Sequence, residues 1–157
     1  MNRFVSLVAT ALLLCSVAAD AQDSLQRTTW KLNVSKSVIR VGQRYASSTM
    51  TIERDGDWVS VHAEPVTSEG QRFSASYRAK YDGNEYAVTG DLPDGADHVA
   101  MRQVDAVTIE RIDKRQGTIV SVVTMVRSQG GKILTITHKG TRPDGQPFDH
   151  TLVYEQQ

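Results

Sequence analysis

Four dipeptides, Asp55-Gly56, Asp82-Gly83, Gly130-Gly131 and Asp144-Gly145, separate short runs rich in Val, Ile, Thr and Tyr. Tight hairpin turns need residues that tolerate positive φ, and Gly, Asn and Asp supply them. Runs of this composition at a spacing of about ten residues point to an all-β sandwich or barrel. Dividing the chain at the turns predicts about ten strands, near 29–33, 48–54, 58–64, 71–80, 85–90, 98–104, 107–113, 118–127, 132–139 and 148–155. No segment carries a helical period of useful length.

Pairing these strands tests the assignment, because a correct antiparallel register sets apolar residues opposite apolar residues on one face. With Arg127 opposite Lys132, Met125 meets Leu134, Val123 meets Ile136 and Ser121 meets His138. Across the next hairpin Ile136 meets Leu152, Leu134 meets Tyr154 and His138 meets His150, while Lys139 meets Asp149 on the other face. Closing at Asp55-Gly56 pairs Ile52 with Val59 and Met50 with Val61; closing at Asp82-Gly83 pairs Ala79 with Tyr86 and Tyr77 with Val88. Consecutive hairpins with one apolar face curl that face inward, and closing the sheet removes its exposed edges. The predicted fold is an up-and-down antiparallel meander of 8–10 strands closed into a small barrel. A two-sheet sandwich is the alternative, since periodicity alone does not separate a sandwich core from a barrel lumen. The irregular stretch 34–47 is expected to be a loop or a single helical turn across one open end of the barrel, or else an ordinary long connection.

The chain's beginning reads as an address. Arg3, the apolar stretch Phe4 to Val17 and the small-x-small sequence Ala19-Asp20-Ala21 match a secretory signal peptide. Residues 1–21 are therefore expected to be removed and 22–157 to fold as one barrel domain, periplasmic or secreted. The apolar run is short for a membrane span and no stop-transfer pattern follows, so no stable membrane insertion is expected after cleavage. Cys15 raises a lipoprotein alternative, against which stands the bulky Leu14 before it. It is the only cysteine, and its loss with the signal excludes disulfides, thiol catalysis and thiolate metal sites in the mature protein. Basic and acidic residues balance at 18 each. A neutral chain without blocks of like charge has no field to gather nucleic acid, which disfavours that class of partner.

Thr28-Thr29-Trp30-Lys31-Leu32 near one end and Val153-Tyr154-Glu155 at the other, joined by a meander of about ten strands, resemble the calycins, and fatty-acid-binding proteins in particular. Trp30 to Asn33 followed by Lys36-Ser37 also resembles a group of small exported bacterial proteins. The calycin resemblance implies a barrel that holds a lipophilic ligand in its lumen. The chain departs from that pattern at Thr28, where calycins usually have glycine, and at Leu152, where fatty-acid-binding proteins place the arginine that holds the ligand carboxylate. The stretch 34–47 is also too short for the two-helix lid of that family.

The expected ligand-binding residues are Tyr77, Tyr86, Met101, Met125 and Tyr154 as lumen wall, with Arg102, Arg111, His138 and His150 as its polar groups. Methionine and aromatic side chains make an adaptable apolar surface, although the same residues fill an ordinary core. A four-residue loop would set Arg102 opposite Arg111, giving an anion anchor if both point inward. His138 and His150 are expected as cross-strand neighbours. Zinc asks for three or four ligands, and neither His62 nor His98 has a reason to join them, so no metal and no cofactor is expected. No serine sits in a nucleophile elbow and the acids fall mostly at turns, which argues against an enzyme. The expected function is a lipocalin-like carrier of a lipophilic or amphipathic small molecule. The alternative is a non-enzymatic envelope or interaction protein that uses a packed barrel as scaffold and presents Trp58 on its outer face.

Overall fold

A computed structural model describes residues 26–157; the predicted signal peptide, with Cys15, lies outside the described residues. Eleven strands follow one another: β1 (Gln26–Leu32), β2 (Val38–Val41), β3 (Tyr45–Asp55), β4 (Trp58–Thr67), β5 (Ala75–Ala79), β6 (Asp82–Gly90), β7 (His98–Gln103), β8 (Thr108–Arg115), β9 (Thr118–Arg127), β10 (Ile133–Thr141) and β11 (Pro147–Gln156). Neighbours from β3 to β11 pair antiparallel in chain order, and β1 pairs with both β3 and β11. That double pairing closes ten strands into a barrel, which removes the sandwich alternative. Among the described residues no helix is long and apolar enough to cross a membrane.

The stretch 34–47 contains the single turn, a 3-10 helix over Val34–Lys36 capped by the Asn33 side chain. It then differs from expectation. Val38–Val41 does not lie across an open end but joins the wall as β2, pairing with β11 through Ile39 opposite His150 and Val38 opposite Thr151. Val38-Ile39-Arg40-Val41 shows no clean alternation, so its sequence carries no strand signal of its own.

The last hairpin has the expected register: Ile136 opposes Leu152, Leu134 opposes Tyr154, His138 opposes His150 and Lys139 opposes Asp149. Two others are displaced by two residues. Ile52 opposes Val61 rather than Val59, because the turn is Gly56-Asp57 with Asp55 opposite Trp58. Met125 opposes Ile136 rather than Leu134, because the β9–β10 loop is wider. A two-residue displacement returns each side chain to the same face, so the apolar side stays whole. Between β5 and β6, Tyr77 opposes Val88 as expected, but pairing stops there and Ala79 lies opposite Val59 of β4 instead of Tyr86.

Val123, Leu134, Ile136 and Leu152 are all buried in one cluster with Trp30, Met50, Val59, Val61, Val99 and Tyr154. Each large apolar side chain so enclosed contributes about 1.5–3 kcal/mol. Leu152→Ala is expected to cost about 2–5 kcal/mol in urea unfolding, whereas Val122→Ala, at an outward position that is 46 % exposed, should change stability by about 0.5 kcal/mol or less. Equal effects at the two positions would contradict the inside–outside assignment.

Candidate functional site

The barrel interior holds two cavities, of about 90 Å³ and about 80 Å³. Met50 and Met125 line both, so two flexible thioether side chains form the partition between them. Each cavity is small beside the roughly 300–1,000 Å³ of a typical small-molecule site. The first lies at the end bounded by the β3–β4, β7–β8 and β9–β10 turns. Its wall includes Trp30, Ile52, Val61, Tyr77, Met101 and Leu134, and Arg54 and Arg127 stand on its rim. The Arg127 guanidinium carbon lies 5.7 Å from the Trp30 ring centre and that of Arg54 lies 5.5 Å from Tyr81. An open recess of about 430 Å³ shares Arg54, Val59 and Tyr81 with this cavity and adds Asp57, Lys80 and Asp82.

The opposite end is closed by a polar cluster. Arg111 of β8 points inward and grips Asp113 with two bonds, Nε to Oδ1 at 2.6 Å and Nη2 to Oδ2 at 2.8 Å, while its Nη1 donates to the Tyr77 hydroxyl at 3.0 Å. Asp94, from the β6–β7 connection, folds into the same space. Ser121 Oγ lies 2.7 Å from Asp94 Oδ2, 2.9 Å from Asp113 Oδ2 and 2.9 Å from His138 Nε2. Asp94, Asp113 and Ser121 are each at most 2 % exposed. Gly140, opposite Ser121, makes the approach possible: a Cβ there would stand 2.2 Å from the Val120 carbonyl oxygen and 2.5 Å from Ser121 Cβ.

Charge closes within this cluster. Burial opposes ionisation of Asp113, but the Arg111 charge and the hydrogen bonds outweigh it and hold the carboxyl well below its usual range. Burial likewise opposes charge on His138, yet its bonds to Asp113 and Asp94 win and raise its pKa. Arg111 thus faces the carboxyl group of Asp113, and His138 those of Asp94 and Asp113. Asp94, Asp113 and His138 each bring a ligand atom within 4.8 Å of the others, a spacing a cation could bridge. Both carboxyl groups lie on the Nε2 side of the imidazole, at 3.4 and 3.6 Å, rather than orienting Nδ1 as the acid of a Ser-His-Asp triad does.

The remaining expected residues divide. Tyr77, Met101 and Met125 line the first cavity; Met125, Arg111, His138 and Tyr154 line the second, where the Tyr154 hydroxyl bonds Ser48 at 3.0 Å. Arg102 does not face Arg111. It opposes Glu110, bonds it at 2.7 Å and lies outside, while Arg111 opposes Met101. The loop displaces the register by one residue, and a one-residue slip sends neighbours to opposite faces. Tyr86 lines neither cavity: its hydroxyl donates to Asp82 at 2.7 Å and its ring stands edge-on to Trp58 at 5.6 Å. Trp58, half-buried on the outer wall, lies beneath Arg78 and Lys80. His150 sits beside His138 with ring centres 6.4 Å apart, and packs edge-on to Tyr45 at 5.5 Å. It is 2 % exposed and neither ring nitrogen makes a hydrogen bond. Burial, then the His138 charge, push its pKa down to about 4. Asp94, Asp113, Ser121, Arg54 and Arg127 are the site residues that sequence reasoning missed. Asp113 alone left a signal, as an acid that interrupts the apolar alternation of β8.

Two measurements follow from this cluster. Asp113→Asn leaves the buried Arg111 without its counter-charge and should cost about 3–5 kcal/mol in denaturant unfolding; a loss below about 1 kcal/mol would mean that water relieves the guanidinium. For His150 the folded pKa lies below the unfolded value of 6.5. The unfolded chain therefore takes the proton first, and stability falls as pH drops from 6.5 to about 4, by at most about 3 kcal/mol. His138, raised, acts in the opposite sense: its contribution is present below pH 6.5 and disappears as pH rises through its folded value. His150→Leu should flatten the acid slope and, by removing two unpaired nitrogens, add about 1 kcal/mol at neutral pH. Melting temperatures between pH 4 and 8 check both statements.

Searches against family models, curated proteins and solved structures find no match to this chain.

Proposed function

We propose that the protein is an exported, non-enzymatic binding barrel of calycin-like type that takes a lipophilic or amphipathic small molecule into its lumen. The observation that carries this reading is the cavity lined by Trp30 and Tyr77, largely apolar in its wall and sharing Arg54, Val59 and Tyr81 with an outer recess. Apolar surroundings with a few convergent polar groups suit an amphipathic guest. The cavity is small at rest, and Met50 and Met125 answer that constraint. Unbranched side chains with three rotatable bonds swing aside at little cost, which joins the two cavities along the barrel axis.

A second reading treats the filled barrel as a scaffold whose outer wall meets a protein partner. Trp58 favours it, lying half-buried under Arg78 and Lys80 at 4.7 and 4.9 Å, since aromatic residues flanked by arginine are common at the centres of interfaces.

The neutral dye N-phenyl-1-naphthylamine separates the two. Lumen binding predicts a blue-shifted, enhanced emission that saturates at one dye per protein. Met125→Ala should lose about 2–5 kcal/mol of stability and yet bind the dye more tightly, because the partition is gone. No emission change with either protein would remove the carrier reading and leave the scaffold.

A further inference from the structure

We propose that the mouth carrying Arg54 and Arg127 is an anion-selective entrance, and that the molecule it admits is an anionic amphiphile, with a carboxylate or phosphate headgroup on a short apolar tail. This rests on the binding-barrel reading above and adds the chemistry of the ligand and the end by which it enters.

Direction comes from the contrast between the two ends. At the far end Leu92, Pro93 and Asp94 fold over the second cavity, and its one guanidinium, Arg111, is already committed to Asp113 and Tyr77. An incoming anion there would have to displace a buried bidentate pair and would meet the charges of Asp94 and Asp113. At the mouth the situation is reversed. Arg27 is paired with Glu53 at 3.3 Å, Arg78 with Asp55 at 3.1 Å and Lys80 with Asp57 at 3.9 Å. Arg54 and Arg127 have no carboxylate partner among the described residues. Each instead packs against an aromatic ring that lines the same cavity, Tyr81 and Trp30.

An aromatic ring beneath a guanidinium holds it in place through the ring's negative face, and the donor fork, whose geometry matches carboxylate and phosphate bidentately, remains to be used. Arg127 spends one contact, Nε to the Gly131 carbonyl at 3.3 Å, and Arg54 one, to the Tyr81 hydroxyl; the other donors of each fork are uncommitted. The acids nearby do not compete. Asp57 lies against Lys80, and Asp82 accepts from the Tyr86 hydroxyl at 2.7 Å and the Asn84 side chain at 3.0 Å. The two rim arginines therefore place positive charge where the headgroup of a molecule stands when its tail lies under Trp30.

The test displaces N-phenyl-1-naphthylamine with ligands of one chain length, 1-octanol, octanoate and octyl phosphate, with acetate as a headgroup without a tail. Octanoate or octyl phosphate should bind about tenfold tighter than octanol, the factor one charge-assisted hydrogen bond supplies. Whichever of the two is the tighter identifies the headgroup. In the double variant Arg54→Gln/Arg127→Gln, both at exposed positions, that factor should vanish, so that octanoate and octyl phosphate displace the dye no better than octanol does from the same variant. Equal displacement by octanol and both anions, or a preference that survives in the double variant, overturns the anion-selective mouth and leaves the binding barrel intact. Displacement by acetate at the same concentration overturns the amphiphile. Failure of the dye itself to bind overturns the binding barrel, and this inference with it.

Discussion

The pairing of β1 with two partners at once is the interaction on which the rest of the molecule depends. Thr28 opposite Ile52 and Trp30 opposite Met50 mark its contact with β3, and Trp30 to Leu32 opposite Tyr154 to Gln156 its contact with β11. Without that seam the meander would be an open sheet of ten strands with two free edges and one bare apolar face. With it, the apolar face becomes the wall of a lumen. Trp30 lies at the seam and is 2 % exposed, so the largest side chain of the interior packs where the first and last parts of the chain meet.

Closure at ten strands leaves more room than aliphatic side chains alone would fill, and the two halves of the lumen fill it differently. One half is apolar, with aromatic and methionine side chains around a residual cavity. The other holds five polar or charged side chains contributed by β8, β9, β10 and the β6–β7 connection. Placing two carboxylates, a guanidinium and an imidazole in a space shielded from water is costly unless every charge has a partner. Here Arg111, Asp113, Ser121, Asp94 and His138 form one connected set, and Gly140 lets β9 and β10 approach closely enough for Ser121 to stand at its centre. His150 is the exception: beside the cluster, buried and unbonded, it is kept neutral by the same low-polarity surroundings that make the cluster's own bonds strong.

The two ends of the barrel consequently have opposite electrostatic characters. Far-end charges are satisfied by one another and hold the β6–β7 connection over the opening. Arg54 and Arg127 at the mouth lie against aromatic rings and have no carboxylate partner among the described residues. The proposed anionic guest rests on this asymmetry more than on the volume of the lumen.

How much of this was legible in the chain follows from which interactions are local. Turn chemistry and the alternation of Val, Ile and Thr are local, so every strand but β2, the order of the meander and the inward placement of Val123, Leu134, Ile136 and Leu152 could be read directly. A two-residue error in two hairpins did no damage because side chains repeat with period two. The one-residue error at the β7–β8 loop did: it separated Arg102 from Arg111, and loop length between strands is set by backbone hydrogen bonds such as Val104 N–H to the Thr108 carbonyl, which residue types do not announce. The sequence by itself therefore determined an antiparallel meander with one oily side, and the pairing of β1 with β11 decided that it closes into a barrel and not a sandwich. Tertiary structure alone decided that Asp94, carried by a connection, meets Asp113, Ser121 and His138 from three strands, and that Arg54 of β3 and Arg127 of β9 share one rim. Those meetings depend on how far the sheet curls before it closes, a property of all ten strands together and of no segment alone.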